Sequence, residues 1–122
     1  MNQSEIPNGP IPLSLLPDSA EISRKGELLI GGISVDKLAN EYGTPLFIYD
    51  EDHLRSRCRE ALTALGEGTA YAGKAFLCVA MARLVTEEGL HLDVASEGEL
   101  RTAIAAEVPG ESIVLHGNNK SL

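Results

Sequence analysis

The sequence is poor in cysteine, in long apolar runs and in basic residues. Its two cysteines, Cys58 and Cys78, form no CxxC pair, and no histidine lies at metal-ligand spacing from them. This pattern argues against a metal site or a disulfide. No apolar run is long enough to cross a bilayer, and the first residues lack the pattern of a signal peptide, so we expect a cytoplasmic protein. The net charge of −8, from 18 acidic and 10 basic residues, disfavours nucleic acid and anionic membranes as partners.

Two glycine-rich phosphate-binding motifs are also absent. The glycines of GEGTAYAG, at 66, 68 and 73, do not have the G-x-G-x-x-G spacing. They also precede a predicted strand, whereas the dinucleotide-binding motif follows one. No GK[ST] sequence of the Walker type occurs, so we expect neither kind of nucleotide site.

The composition is that of a small globular domain: of 122 residues, 43% are hydrophobic and 23% are charged. Four of the six prolines fall within residues 1–20, which predicts an extended lead-in. The stretch GELLIGGI, residues 26–33, predicts a strand and a turn. A helix is then expected between Ser34, as its N-cap, and Gly43.

From about residue 44 onward, strand patterns and helix patterns alternate. Short apolar runs predict strands at 44–50, 68–75, 90–96 and 112–118. Apolar residues at helical spacing predict helices at 51–65, 76–88 and 97–107, the first of them capped by Asp50. Such alternation is typical of βαβ units with a parallel sheet. The sequence therefore predicts an α/β fold.

Polar and charged residues follow three successive predicted strands. In open α/β sheets and βα barrels, functional residues collect where the strands run into loops. The residues at these three points are Lys74, then Asp93 and Ser96 in DVASEGEL, then His116, Gly117, Asn118, Asn119 and Lys120 in HGNNK. Since the carboxyl ends of parallel strands share one edge of the sheet, we expect these residues to form one site.

Each of these residues also has a purely structural interpretation. Lys74 lies among small and apolar residues in YAGKAF, where an ammonium group is costly to bury, but an exposed strand edge is an alternative. Ser96, with Glu99 three residues later, matches a capping box, and we expect it to cap the next helix in either case. HGNNK is also typical of a turn. The recurrence at three strand ends is what favours a shared site.

Three motifs in order, YAGKAF, DVASEGEL and HGNNKS, resemble those of the diaminopimelate decarboxylases. That family belongs to the alanine-racemase-like group (group IV) of pyridoxal-phosphate-dependent decarboxylases, alongside the ornithine and arginine decarboxylases. The upstream stretch YGTPLFIYDEDHLRSRCR is also similar, so the resemblance covers roughly residues 25–122. It implies the N-terminal part of a (β/α)8 TIM barrel with pyridoxal phosphate as the cofactor.

The resemblance assigns roles to residues at the strand ends. Lys74 matches the catalytic lysine that forms a Schiff base with pyridoxal phosphate, and small neighbours such as Gly73 would let a flat ring approach. Asp93 matches an aspartate near that lysine, where it would pair with a protonated amine. The implied reaction converts meso-diaminopimelate to L-lysine and CO2. Cofactor contacts are implied for Lys74, Ala72, Asp93, Ser96, His116 and Asn118, without a chemical step for His116.

The length departs from the family, because a βα barrel needs about 250 residues and eight strands. We therefore expect an N-terminal fragment that does not catalyse decarboxylation by itself. Residues 1–40 are expected to be an extended segment that packs with an absent β domain, and residues 41–122 to be a partial barrel. The resemblance also implies a homodimer in which the two subunits share the active site.

Three other functions stay open at this point. The first is an ornithine- or arginine-type decarboxylase of the same family, since residues beyond Leu122 mainly set the choice of substrate. The second is a non-catalytic barrel protein that binds pyridoxal phosphate. The third is an unrelated flavodoxin-like domain, which would form no borohydride-trapped adduct on Lys74.

Overall fold

Two separate three-stranded sheets are formed by residues 11–117, the part of the chain that the computed structural model describes. The chain divides into two units, residues 1–54 and 55–122, and each unit carries one of the sheets. The predicted division into an extended segment at 1–40 and a partial barrel at 41–122 stays a prediction. Within residues 11–117 no helix is both long enough and apolar enough to cross a membrane. Predictions for Pro7, Pro10, Asn118, Asn119 and Lys120 lie outside the described residues.

The sheet of the first unit is an antiparallel arrangement of three short strands. In order they are β1 at Glu21–Ile22, β2 at Leu28–Ile30 and β3 at Ile33–Ser34. The predicted strand and turn are confirmed, since Gly31 and Gly32 connect β2 to β3 with positive φ angles, a conformation that favours glycine. Helix α1, Val35–Tyr42, follows directly and ends at Gly43, whose N–H donates to the carbonyl of Ala39 at 2.9 Å.

The predicted strand at 44–50 is wrong. These residues form no regular element and pair with no strand of either described sheet. A strand needs a neighbour to satisfy its backbone groups, and Pro45 has no N–H to contribute. Phe47 and Tyr49 are 85% and 51% exposed as residues, so an apolar run here does not indicate a buried strand.

Helix α2, Glu51–Leu65, has the predicted boundaries. At its start the Oδ1 atom of Asp50 accepts a hydrogen bond from the N–H of His53 at 3.1 Å, which confirms the predicted cap. Asp50 also accepts a hydrogen bond from the Ser19 hydroxyl. The bond from Ser19 and then the bond from His53 hold the pKa of the Asp50 carboxyl below its ordinary value. The helix ends at Gly66, which donates to the carbonyl of Leu62 at 2.8 Å.

The second unit contains the predicted parallel sheet. Its strands, in spatial order, are β4 at Ala70–Ala72, β5 at His91–Val94 and β6 at Ile113–Leu115. Helix α3, Val79–Glu87, connects β4 to β5, and helix α4, Glu97–Ala105, connects β5 to β6. Both strand pairs are parallel, as the alternation of strands and helices predicts. Among residues 11–117 this sheet has three strands rather than the four predicted, because residues 44–50 form none.

Strand β5 lies at the centre of the core of this unit. Leu92 and Val94 point to one face of the strand and are completely buried, together with Val85 of α3. Burying each such side chain contributes about 1.5–3 kcal/mol. Because side chains alternate along a strand, His91 and Asp93 lie on the opposite face and are only partly buried. The apolar face of β5 thus anchors the strand, and its other face is left for polar residues.

A cluster of four charged residues joins α2 to the end of α3. Glu88 accepts from Arg59 at 2.7 Å and from Arg55 at 2.9 Å, and Arg55 also pairs with Glu87 at 2.8 Å. The guanidinium of Arg59 and then that of Arg55 hold the pKa of Glu88 below its ordinary value. These ion pairs fix the point at which the chain leaves α3 and turns into β5.

Candidate functional site

The carboxyl ends of β4, β5 and β6 meet at one edge of the parallel sheet. Ala72 pairs with Asp93 across β4 and β5, and Val94 pairs with Leu115 across β5 and β6. Neighbouring strands lie about 4.8 Å apart, so the ends of β4 and β6 are separated by about 10 Å. The register therefore brings the residues that follow all three strands to a single edge, as the sequence predicts.

Lys74 lies in the turn that follows β4. The turn closes with a hydrogen bond from the N–H of Ala75 to the carbonyl of Ala72 at 3.1 Å. Lys74 is exposed, although its neighbours in the sequence are small and apolar. The small side chains around it and its position beyond the end of the strand explain this exposure. An exposed primary amine at this edge is open to an incoming ligand.

Gly73 brings the end of β4 into close contact with β5. Its N–H donates to the carbonyl of Asp93 at 2.8 Å, and the residue is buried. A Cβ atom at this position would lie 3.0 Å from that carbonyl oxygen and 3.3 Å from Cδ2 of Leu77. A residue larger than glycine would have to displace these neighbours by a few tenths of an ångström, so Gly73 helps to set where Lys74 leaves the sheet.

Asp93 and His116 are in direct contact at the same edge. The Nδ1 atom of His116 hydrogen bonds to Oδ1 of Asp93, and the N–H of His116 donates to the carbonyl of Val94 at 3.0 Å. The Asp93 side chain is 23% exposed and that of His116 is 54% exposed. The sequence places both residues at the site but does not predict that they pair, since pairing depends on the register of β5 against β6.

Ser96 caps helix α4, as the capping-box pattern predicts. Its hydroxyl accepts from the N–H of Glu99 at 3.3 Å, and the Glu99 carboxylate accepts from the N–H groups of Ala95 at 2.6 Å and Ser96 at 3.2 Å. This reciprocal arrangement satisfies backbone donors at the start of the helix. The structural interpretation of Ser96 is thus confirmed, and its contact with a cofactor stays a prediction.

We expect the Ser96→Ala substitution to lower the free energy of unfolding by about 1 kcal/mol, because it removes the hydroxyl that caps α4. Urea unfolding followed by circular dichroism measures this change. Ser34→Ala is the matched control: Ser34 stands at the N-cap of α1, but its side chain makes no capping hydrogen bond. Equal losses in the two variants would contradict a specific role of the Ser96 hydroxyl.

The predicted positions Asn118 and Lys120 lie outside the described residues, so the site is built here from β4, β5 and β6 up to Gly117. Within residues 11–117, no group of three or more histidine, cysteine, aspartate or glutamate side chains is arranged to hold a metal ion. The described edge offers an amine, a carboxylate, an imidazole and small residues. These are groups that bind a polar organic ligand.

Comparison with known protein families identifies a family whose model covers this edge of the parallel sheet. Residues 51–122 match the family model described as "Pyridoxal-dependent decarboxylase, pyridoxal binding domain". The chain belongs to this family. The matched residues include all three strand ends, with Lys74, Asp93 and His116. Pyridoxal phosphate is the cofactor of the pyridoxal-dependent decarboxylases, so the predicted cofactor is confirmed at the level of the family.

Two curated relatives of this chain are named diaminopimelate decarboxylase. The chain is 57% identical over 99 residues to the diaminopimelate decarboxylase of Mycobacterium tuberculosis, covering 80% of this chain and 22% of the relative. It is 49% identical over 112 residues to that of Corynebacterium efficiens, covering 90% and 24%. The chain thus spans about a quarter of the length of the curated relatives it matches.

A solved structure confirms the predicted fold class. The crystal structure of diaminopimelate decarboxylase from M. jannaschii superposes with a TM-score of 0.74 at 33% sequence identity, covering 86% of this chain and 26% of that one. The described α/β unit is therefore part of an alanine-racemase-like barrel. The unrelated flavodoxin-like alternative is excluded.

The residues at the sheet edge fit an aldehyde cofactor. The primary amine of a lysine side chain can attach to an aldehyde carbon. Lys74 is the sole lysine between residues 55 and 117. It is exposed beside the end of the sheet, and the neighbouring strand ends supply groups that bind the polar substituents of a ligand. The side chains at this edge thus suit pyridoxal phosphate.

Proposed function

We propose that this chain is part of an enzyme that uses pyridoxal phosphate to convert meso-diaminopimelate to L-lysine and CO2. The observation that carries the proposal is the exposed amine of Lys74, at the carboxyl edge of the sheet and within the residues that match the pyridoxal binding domain. The substrate is suggested by relatives named diaminopimelate decarboxylase. A solved relative of that name was crystallised in complex with L-lysine, the expected product.

Lys74 has two tasks in this proposal. Its Nζ atom would hold the cofactor and keep it at the carboxyl ends of the strands. When bound, pyridoxal phosphate supplies an electron sink for the carbanion that remains after loss of CO2. With its amine free, Lys74 would remain at the same edge, where Nζ could hold or deliver a proton. The exposed position of Lys74 suits both tasks, because no described ion pair has to be broken first.

The other residues at the edge shape the space around Lys74. We infer that Ala72 and Gly73 leave room beside the amine, and that Asp93 and His116 provide polar contacts across the neighbouring strand ends. Ser96 would contribute its hydroxyl while it caps α4. For Asn118, the assignment as a cofactor contact rests on its motif alone.

The assembly and location of the enzyme are also proposals. We propose a homodimer with a shared active site, as the resemblance to the diaminopimelate decarboxylases implies. We propose that the enzyme works in the cytoplasm. The solution mass of the active protein, measured by light scattering, tests the dimer.

The decisive experiment is a decarboxylation assay with purified product of the gene and pyridoxal phosphate. Diaminopimelate, ornithine and arginine are supplied separately, and the released CO2 and the amine product are measured. We expect CO2 and L-lysine in equal amounts from diaminopimelate, with much slower reaction of the other two. Preference for ornithine or arginine would replace the proposed substrate. Cofactor binding without CO2 from any substrate would instead favour a non-catalytic protein.

A further inference from the structure

We propose that Asp93 is a positioning residue that acts through His116 and not through Lys74. Its carboxylate holds the imidazole by Nδ1, so that Nε2 of His116 is the polar group that β6 presents to the bound cofactor or substrate. This inference rests on the proposed function and deepens it. It departs from the resemblance, which implies that Asp93 pairs with a protonated amine beside Lys74.

The His116 ring is anchored at two points. Its backbone N–H donates to the carbonyl of Val94 at 3.0 Å, which continues the ladder between β5 and β6 by one residue. Its Nδ1 atom is bonded to the Asp93 carboxylate. Asp93 is itself fixed, because its own carbonyl accepts from Gly73 at 2.8 Å and its neighbours Leu92 and Val94 are completely buried. A ring held at the backbone and at one nitrogen has little freedom to turn.

The chemistry of the pair decides which nitrogen carries the proton. A carboxylate only accepts hydrogen bonds, so Nδ1 of His116 has to donate. In a neutral imidazole, Nε2 then carries the lone pair and accepts a hydrogen bond from a ligand N–H or O–H group. Carboxylates that orient a histidine in this way fix both its tautomer and its direction. In its neutral form the imidazole is thereby oriented as an acceptor before any ligand arrives.

Exposure supports this division of roles. The His116 side chain is 54% exposed, whereas that of Asp93 is 23% exposed and its Oδ1 atom is already engaged. Of the two side chains, the imidazole therefore has more surface to offer a ligand. Asp93 lies between the strand that carries Lys74 and the strand that carries His116, and its contact in the described structure is with His116.

The first test is independent of the cofactor. Nitrogen-15 NMR of the imidazoles in the 122-residue chain is expected to show His116 protonated at Nδ1. The Asp93→Asn substitution, which keeps the size of the side chain, is expected to shift the proton to Nε2, because an amide N–H can donate to Nδ1. The signals of His91, on the same face of β5, serve as the internal control. A neutral His116 that carries its proton at Nε2 instead of Nδ1 in the unmodified chain would overturn the inference.

The second test asks whether Asp93 acts through His116. Affinity for pyridoxal phosphate is measured by absorbance in Asp93→Asn, in His116→Asn and in the double variant. We expect about a tenfold loss in each single variant and no further loss in the double variant, since coupled residues are not additive. If the two losses of affinity multiply in the double variant, Asp93 acts independently of His116 and the proposal is wrong. His91→Asn is the matched control and is expected to bind normally.

Failure of the proposed function and failure of the inference about Asp93 give different experimental results. Absence of any adduct on Lys74 in the unmodified protein would contradict the proposed function, whatever the state of His116. The NMR measurement, made without cofactor, decides whether Asp93 positions the imidazole. Circular dichroism of the Asp93→Asn variant checks that the fold is retained.

Discussion

The Lys74→Ala variant is expected to form no covalent adduct with pyridoxal phosphate. The substitution removes the exposed primary amine at the sheet edge, and no other lysine lies between residues 55 and 117. Borohydride reduction followed by peptide mass spectrometry should find the cofactor on the peptide that contains residue 74, and only in the unmodified protein. In the gene product we expect the decarboxylation rate to fall by at least about 10²- to 10⁴-fold, the range for loss of a proton-transferring group.

Two further variants make this result specific. Lys37→Ala removes an exposed lysine in α1 of the first unit and is expected to leave the adduct and the rate unchanged. Lys74→Arg keeps the positive charge but lacks the reactive amine, so it should behave like Lys74→Ala. An adduct of normal yield in Lys74→Ala, or its loss in Lys37→Ala, would place the cofactor on another amine.

The parts of the fold that the sequence predicts well are those set by local chemistry. Asp50 and Gly66 bound α2, and Ser96 with Glu99 starts α4, because capping groups and positive-φ glycines act over a few residues. The alternation of apolar runs with helical patterns predicts the parallel sheet of the second unit, since each run must be buried between helices. These signals need no knowledge of distant contacts.

The features that sequence reasoning misses depend on neighbours. The run at 44–50 is apolar enough for a strand, but a strand forms only where another strand pairs with it, and none of the described strands does. The exposure of Lys74 depends on where β4 ends, which is two residues earlier than the residue itself. The contact between Asp93 and His116 depends on register, and a shift of one residue between β5 and β6 would place them on opposite faces.

The function of the edge is predicted by three motifs together rather than by any single residue. Lys74, Asp93 and His116 each have a structural interpretation when taken alone. The parallel register brings the ends of their strands together, and the family match covers them all. The motifs do not reveal how Lys74, Asp93 and His116 divide their roles, because the order of residues in the sequence does not show which polar side chains are in contact.

The Gly73→Ala variant is expected to lose about 1–3 kcal/mol of unfolding free energy, the range for overpacking a well-packed site. The added Cβ would lie 3.0 Å from the backbone carbonyl of Asp93, and backbone cannot move aside as a flexible side chain can. The end of β4 has to separate from β5, which weakens the hydrogen bond from Gly73 and displaces Lys74. We therefore expect slower attachment of pyridoxal phosphate as well as a lower midpoint in thermal unfolding.

Gly98→Ala separates this steric effect from the general effect of replacing glycine. Gly98 lies in the first turn of α4, and an added Cβ atom there would have no neighbouring atom within 4 Å. Alanine there should stabilise the chain by up to about 1 kcal/mol, since glycine is the more costly residue in a helix. The two substitutions are chemically identical but are expected to change stability in opposite directions. If Gly73→Ala proved as stable as Gly98→Ala and attached the cofactor normally, β4 and β5 would not approach as closely as described, and Gly73 would not be what positions Lys74.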